Sequence, residues 1–150
     1  MRGAAPRIPK GSGRAVKKHE THPYTVMTVC TGNICRSPMG EIILRHEFEQ
    51  RGLGDAVRVE SSGVSDEEYG NPIDPRAVKL LRERGYAIPA KHFAHRITRN
   101  EIADTDLFLP MTASHMNALL HMLPLSKRSE VHMYRSFDHD LPDPQPGYES

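Results

Sequence analysis

Cysteine is scarce in this 150-residue chain: there are two, Cys30 and Cys35, and both fall in one short stretch. They cannot staple distant parts of a fold. A disulfide framework is therefore not expected, and a reducing, cytoplasmic setting is. No apolar run approaches the ~18 residues that a spanning helix needs, so no membrane span is expected. The formal net charge is +1, too balanced to set up a bulk field toward nucleic acid or a membrane surface. The histidines, such as His92 and His95 or His115 and His121, have no convincing ligand spacing. With both cysteines in one loop, neither a metal site nor a cofactor is expected. No internal repeat is visible.

What remains reads as one globular domain. Hydrophobic residues make up 37% and charged residues 26% of the chain, enough for a real core at this length. Residues 1–23 differ in kind. Arg2, Arg7, Lys10, Arg14, Lys17 and Lys18 stand against one acid, Glu20, among glycines and prolines. This composition predicts a disordered basic extension. The functional alternative is a tail for an acidic partner. No apolar stretch of the signal-peptide kind is present there, so no secretory signal is expected. The domain is placed at 24–150.

Along that domain the pattern alternates. Thr25–Val29 predicts a buried strand and Pro38–Gln50 a helix, with Gly52 and Gly54 as its stop. Val57–Ser61 predicts a second strand. A loop rich in Gly, Asn and Pro leads to a helix over Pro75–Arg84, stopped by Gly85. A short helix over Ile97–Ala103, a strand over Asp106–Met111, a helix over Ala113–Met122 and a strand over Val131–Tyr134 follow. Asp138–Tyr148 reads as a loop. Strands alternating with helices predict an α/β fold: a four-stranded parallel sheet with helices on both faces. Ligands in such sheets bind at the carboxyl ends of the strands. Met111, Met116, Met122 and Met133 are expected to fill the core.

The richest segment is Cys30-Thr31-Gly32-Asn33-Ile34-Cys35-Arg36-Ser37, at the carboxyl end of the first strand and the start of the first helix. In a strand–loop–helix of this kind successive backbone N–H groups converge with a helix N-terminus and make an anion site. A cysteine at its floor should be a thiolate, because the positive field favours the charged form. Arg36 adds a planar fork suited to two phosphate oxygens. A cation at a helix start is otherwise disfavoured, so it should have an anion to meet. Cys30 is thus the candidate nucleophile, and Thr31, Gly32, Asn33, Ile34, Cys35, Arg36 and Ser37 the candidate phosphate-binding residues. Gly32 is expected to take a backbone angle closed to other residues, and Asn33 to tolerate a left-handed one. Ser37 is a natural helix N-cap. Cys35 could be a simple apolar anchor. A leaving oxygen needs a proton, and Asp143, held extended before Pro144, is the candidate acid, with Asp140 in reserve.

This loop, with Ser61-Ser62-Gly63, Gly70-Asn71-Pro72, Asp74-Pro75-Arg76-Ala77, His92, Ile97-Thr98 and Pro142-Asp143-Pro144, resembles the low-molecular-weight protein tyrosine phosphatases of bacterial type. The resemblance covers roughly Tyr24 to Tyr148. It implies hydrolysis of protein phosphotyrosine through a cysteinyl-phosphate, with phosphate as product. It implies Asp143 as general acid, Ser37 as a donor to the thiolate, and Ser61 and His92 as the residues that hold Asn33. It also implies a reversible Cys30–Cys35 disulfide against overoxidation. A related phosphoarginine phosphatase branch has Thr at the position of Ile34, so Ile34 favours an aromatic substrate. A related arsenate reductase needs further cysteines, which this sequence lacks. A catalytically weak phosphoprotein-binding module is the reading from another class. The family's aromatic positions hold Glu67 or Glu68 and Gln145-Pro146 here. Its C-terminal helix has no counterpart before Ser150.

Overall fold

The computed structural model describes residues 23–134. β1 (Tyr24–Cys30) is buried at every position and lies at the centre of a parallel sheet of order β2-β1-β3. A strand covered on both faces needs a near-continuous apolar or β-branched run, and Tyr-Thr-Val-Met-Thr-Val-Cys supplies it. β2 (Val57–Gly63) pairs along its whole length, bringing Gly63 opposite Cys30. β3 (Leu107–Pro110) pairs on the other side, with Phe108 opposite Met27 and Pro110 opposite Val29.

Alternation along β1 divides the core. Tyr24, Val26 and Cys30 face one side with Val57, Val59, Leu109 and Met111, where Leu44 and Phe48 of α1 (Arg36–Gln50) pack on them. Met27 and Val29 face the other side with Phe108, Leu119 and Leu123, under α4 (Ala113–Met122). A third cluster joins α1, through Met39, Ile42 and Ile43, to α2 (Pro75–Glu83), through Ala77 and Leu81. Helices therefore cover both faces, as the alternating pattern predicts. Met111 is fully buried, and Met116 and Met122 pack against the α4-side cluster.

The helix ends follow local chemistry. Asp74 caps α2 by accepting from the Arg76 amide, and Pro75 opens the helix, a position where a missing N–H costs nothing. Thr98 and Glu101 form a reciprocal capping box at the start of α3 (Arg99–Asp104), which is why this helix starts two residues later than the pattern suggests. α1 and α2 are each followed by a left-handed glycine, Gly52 at φ +75° and Gly85 at φ +86°; such a residue closes a helix with little strain.

One predicted element differs. Val131–Tyr134 does not extend as a fourth strand among the described residues; it makes a single parallel bridge, Val131 to Phe108, with the His132 amide donating to the Phe108 carbonyl at 2.9 Å. Two residues beyond Phe108, on the same outer edge, Pro110 has no N–H to continue the ladder. A 3-10 turn, Leu125–Glu130, which the sequence pattern did not anticipate, delivers Val131 to that edge.

Candidate active site

The loop between β1 and α1 is held from outside by its own carbonyls. Cys30 O accepts from Val64 N at 2.9 Å, Thr31 O from Ser65 N at 3.0 Å, and Ile34 O from Asp74 N at 2.7 Å. Asn33 O meets His92 Nε2 at 2.7 Å. In a trans peptide the C=O and the following N–H point opposite ways. Carbonyls tied outward therefore turn the amides of Thr31, Gly32, Ile34 and Cys35 toward the loop's interior. The Asn33 amide points at Cys30 Sγ, 3.3 Å away. The result is a ring of N–H groups that ends on the first turn of α1, the arrangement of an anion cradle.

Cys30 is fully buried at the floor of this ring. Its Sγ lies 2.9 Å from Ser37 Oγ. Ser37 in turn is held to β1, its carbonyl accepting from Thr28 Oγ1 at 2.8 Å. Arg36 opens α1 and is only 7% exposed. Its Nε is buried without a hydrogen-bond partner among the described residues, and none of the ion pairs formed among them includes it. A buried guanidinium at the positive end of a helix dipole is costly unless an anion arrives.

Asn33 is the hub. It is the one non-glycine residue among those described with positive φ, +63°, a conformation that Asn tolerates better than most residues. Its Nδ2 donates to Ser37 Oγ and to Ser61 Oγ, each at 3.0 Å. Its Oδ1 accepts from the His95 amide at 3.2 Å. The structure thus brings Ser61 and His92 onto Asn33, one through the side chain and one through the backbone.

Two local expectations are corrected. The left-handed residue of the loop is Asn33 and not Gly32, whose φ is not positive, because the side-chain bonds of Asn33 stabilise that conformation. Ser37 does not cap α1: the N-cap position is Cys35, without a side-chain cap bond, and the Ser37 hydroxyl is spent on Cys30 and Asn33. Cys35 points away from the cradle into the α1–α2 cluster with Met39, Ile43 and Ile73. Asp143 and Asp140 lie outside the described residues, as do Gln145-Pro146 and most of the basic extension.

Sequence reasoning missed several contributors. Gly63 ends β2 against the loop; a Cβ there would lie 2.4 Å from Thr31 O. A glycine closing a strand beside a ligand loop is a readable signal of close backbone approach. Glu41 bonds Ser61, and His115 of α4 lies 2.9 Å from Thr31 Oγ1 through Nε2; neither carries a local signal. His95, on the loop that supports Asn33, contacts Glu101 at 2.7 Å. That hydrogen bond pushes the His95 imidazole above its ordinary range, against the opposing effect of burial. Burial would raise Glu101, but the bonds from His95 and Thr98 outweigh it and hold the carboxyl below its usual range.

Fold and loop together define a class: an open parallel α/β protein whose first strand–helix turn is an anion cradle with a cysteine at its floor and an arginine at its rim. The family profile described as low molecular weight phosphotyrosine protein phosphatase matches residues 25–150. A low molecular weight protein-tyrosine-phosphatase of Streptomyces coelicolor is 36% identical over 132 residues, 83% of this chain and 79% of its own length. Low molecular weight protein-tyrosine phosphatase A of Mycobacterium bovis is 42% identical over 116 residues, 77% of this chain and 68% of its own. The solved structure of Wzb from Vibrio vulnificus, in complex with benzylphosphonate, superposes with a TM-score of 0.69 at 27% identity, over 85% of this chain and 84% of that one. The chain belongs to the low molecular weight phosphotyrosine protein phosphatase family.

Proposed function

We propose that this chain hydrolyses phosphotyrosine in proteins, with Cys30 as nucleophile, Arg36 as the phosphoryl-binding cation and Asp143 as general acid and base. The observation that carries the reading is Arg36: a buried guanidinium at a helix N-terminus, its Nε without a partner among the described residues, beside a cysteine whose sulfur faces a hydroxyl and an amide. This is a site short of one anion.

The course is two displacements. Cys30 Sγ attacks phosphorus as the phosphorus–phenolate bond breaks, and Asp143 gives its proton to the departing tyrosine oxygen. Water then attacks the cysteinyl-phosphate. Asp143 takes its proton, the sulfur–phosphorus bond breaks, and the Ser37 hydroxyl donates to the leaving thiolate. The inward amides of Thr31, Gly32, Ile34 and Cys35, with Arg36, neutralise the equatorial oxygens in both steps. Ile34 gives the rim an apolar side chain, which favours an aromatic ester over phosphoarginine. The benzylphosphonate seated in the Vibrio vulnificus relative has the same phenyl-and-phosphorus chemistry. Two cysteines that form no disulfide suit a reducing compartment, and a cytoplasmic location is part of this proposal. Among the described residues no helix is long and apolar enough to cross a membrane.

The test is phosphate release from a phosphotyrosine peptide and from a phosphoarginine protein, side by side, with Cys30→Ser as control. Preferential phosphotyrosine turnover that disappears in the variant is expected. A folded chain that binds phosphate but turns over neither substrate would instead be a phosphoprotein-binding module.

A further inference from the structure

We infer that Glu41 is a positioning residue for the reaction: through Ser61 and Asn33 it fixes the direction in which the Ser37 hydroxyl donates. The inference rests on the reading of Cys30 as nucleophile. Arg45, Glu41, Ser61, Asn33, Ser37 and Cys30 form one unbroken chain of contacts from α1, across β2, to the floor of the loop. A hydroxyl can donate or accept, and a side-chain amide can present its oxygen or its NH2, so a chain of two hydroxyls joined by an amide could in principle run either way. Here its far end is a carboxylate, which only accepts.

The consequences propagate by elimination. Glu41 Oε1 lies 2.6 Å from Ser61 Oγ, so Ser61 spends its proton on Glu41. Ser61 then meets Asn33 with a lone pair and accepts from Nδ2 at 3.0 Å. The second Nδ2 proton goes to Ser37 Oγ at 3.0 Å. With that lone pair occupied, the Ser37 proton turns to Cys30 Sγ at 2.9 Å. The His95 amide at Asn33 Oδ1 holds the same amide orientation from the other side. Arg45 pairs with Glu41 and also donates to the Val59 carbonyl at 2.6 Å. The carboxylate is thereby anchored to β2, and its charge is offset before it can act on the thiolate. Glu41 is itself only 17% exposed through its side chain, so water competes weakly for these bonds.

Glu41→Gln leaves one acceptor oxygen for two donors, Arg45 and Ser61. The charged donor takes it, and an NH2 faces Ser61. The test reads two quantities in the full chain: the rate of Cys30 alkylation by iodoacetamide at pH 6, resolved from Cys35 by peptide mass mapping, and kcat and KM for p-nitrophenyl phosphate. In Glu41→Gln both the alkylation rate and kcat are expected to fall roughly three- to tenfold, the worth of one hydrogen bond, with KM within about twofold. Ser61→Ala breaks the same relay from the strand side and is expected to reproduce the fall. The double variant should fall no further than either single one, because both cut one path. Unchanged alkylation in both single variants, losses that multiply in the double variant, or a change confined to KM would each overturn the inference. If Glu41→Gln does not fold, Ser61→Ala alone decides, since it leaves the Glu41–Arg45 pair intact. Wild-type protein with neither turnover nor ready Cys30 alkylation would remove the nucleophile itself; wild-type activity with indifferent variants would remove only the relay.

Discussion

Gly63 and Thr31 touch backbone to backbone: a Cβ built on Gly63 would lie 2.4 Å from the Thr31 carbonyl oxygen, and also 3.2 Å from the Asn33 amide nitrogen. The end of β2 is therefore the mould against which the loop is cast. Gly63 also exchanges bonds with the supporting loop, its N–H donating to His95 O and its carbonyl accepting from Ile97 N, each at 2.9 Å.

Replacing Gly63 by Ala should push the loop off its geometry, since the neighbour is backbone and cannot swing aside. A loss of stability of about 1–3 kcal/mol is expected, the usual cost of overpacking, with a much larger loss of turnover. Thermal melting and phosphatase assays on the same preparation check it. Full activity in Gly63→Ala would contradict the close approach.

Arg36→Lys keeps the charge at the start of α1 but replaces the planar fork with a point charge. Turnover is expected to drop by roughly two to three orders of magnitude, the scale seen when a preorganised donor is lost from a transition state. Because Arg36 Nε is buried and lacks a partner in the described structure, the folded state should not suffer. A melting temperature well below wild type would mean that the guanidinium is structural.

The His95–Glu101 pair should make stability depend on pH in a defined window. His95 is raised by its bond to Glu101, so its contribution is complete below the ordinary histidine value of 6.5 and fades as pH climbs through the raised one. Glu101 is lowered, so its contribution is complete above the ordinary 4.5 and fades as pH falls through the lowered value. The pair therefore contributes most between those two ordinary values. Nearby Glu60, itself raised by burial, adds to the field that favours protonated His95. The melting temperature of His95→Gln should trail wild type most near pH 5.5 and least near pH 8.5. An equal gap at both pH values would show that the ion pair contributes nothing.

Peroxide should convert Cys30 and Cys35 to a reversible disulfide, the behaviour that the family resemblance implies for this pair of positions. Cys30 and Cys35 are both buried and are not joined in a disulfide, and Cys35 sits in the apolar cluster between α1 and α2, so bridging requires it to leave that packing. Peptide mapping should recover a bridged peptide that dithiothreitol releases. Irreversible Cys30 sulfonate with no bridged species would rule this out.

The parts of this protein that were legible without coordinates are those governed by short-range rules. The β-branched run before Cys30 gives a buried strand, the Cys-x5-Arg spacing gives a loop ending on a helix, and Asp74-Pro75 announces a helix start. Each depends on neighbours within a few positions, so residue type and spacing suffice. Where reading failed, the competing contact was distant in sequence. Ser37 was an N-cap by local chemistry, yet Asn33 and Cys30 take its hydroxyl. Val131–Tyr134 had a strand's composition, yet the edge it meets ends at Pro110 and offers a single bridge. Glu41 and His95 carry no motif at all; they and Gly63 matter because parallel pairing sets Gly63 beside Cys30 and because the hub side chain, Asn33, is satisfied from α1, β2 and the His92–His95 loop at once. The sequence by itself determined the proposed nucleophile, the proposed phosphoryl-binding cation and the loop between them, because one short stretch of chain holds all three. Only the tertiary structure decided which way the hydrogen bonds behind that cradle run, because that direction is set by contacts across the fold: Glu41 through Ser61 of β2, and the His95 amide on Asn33.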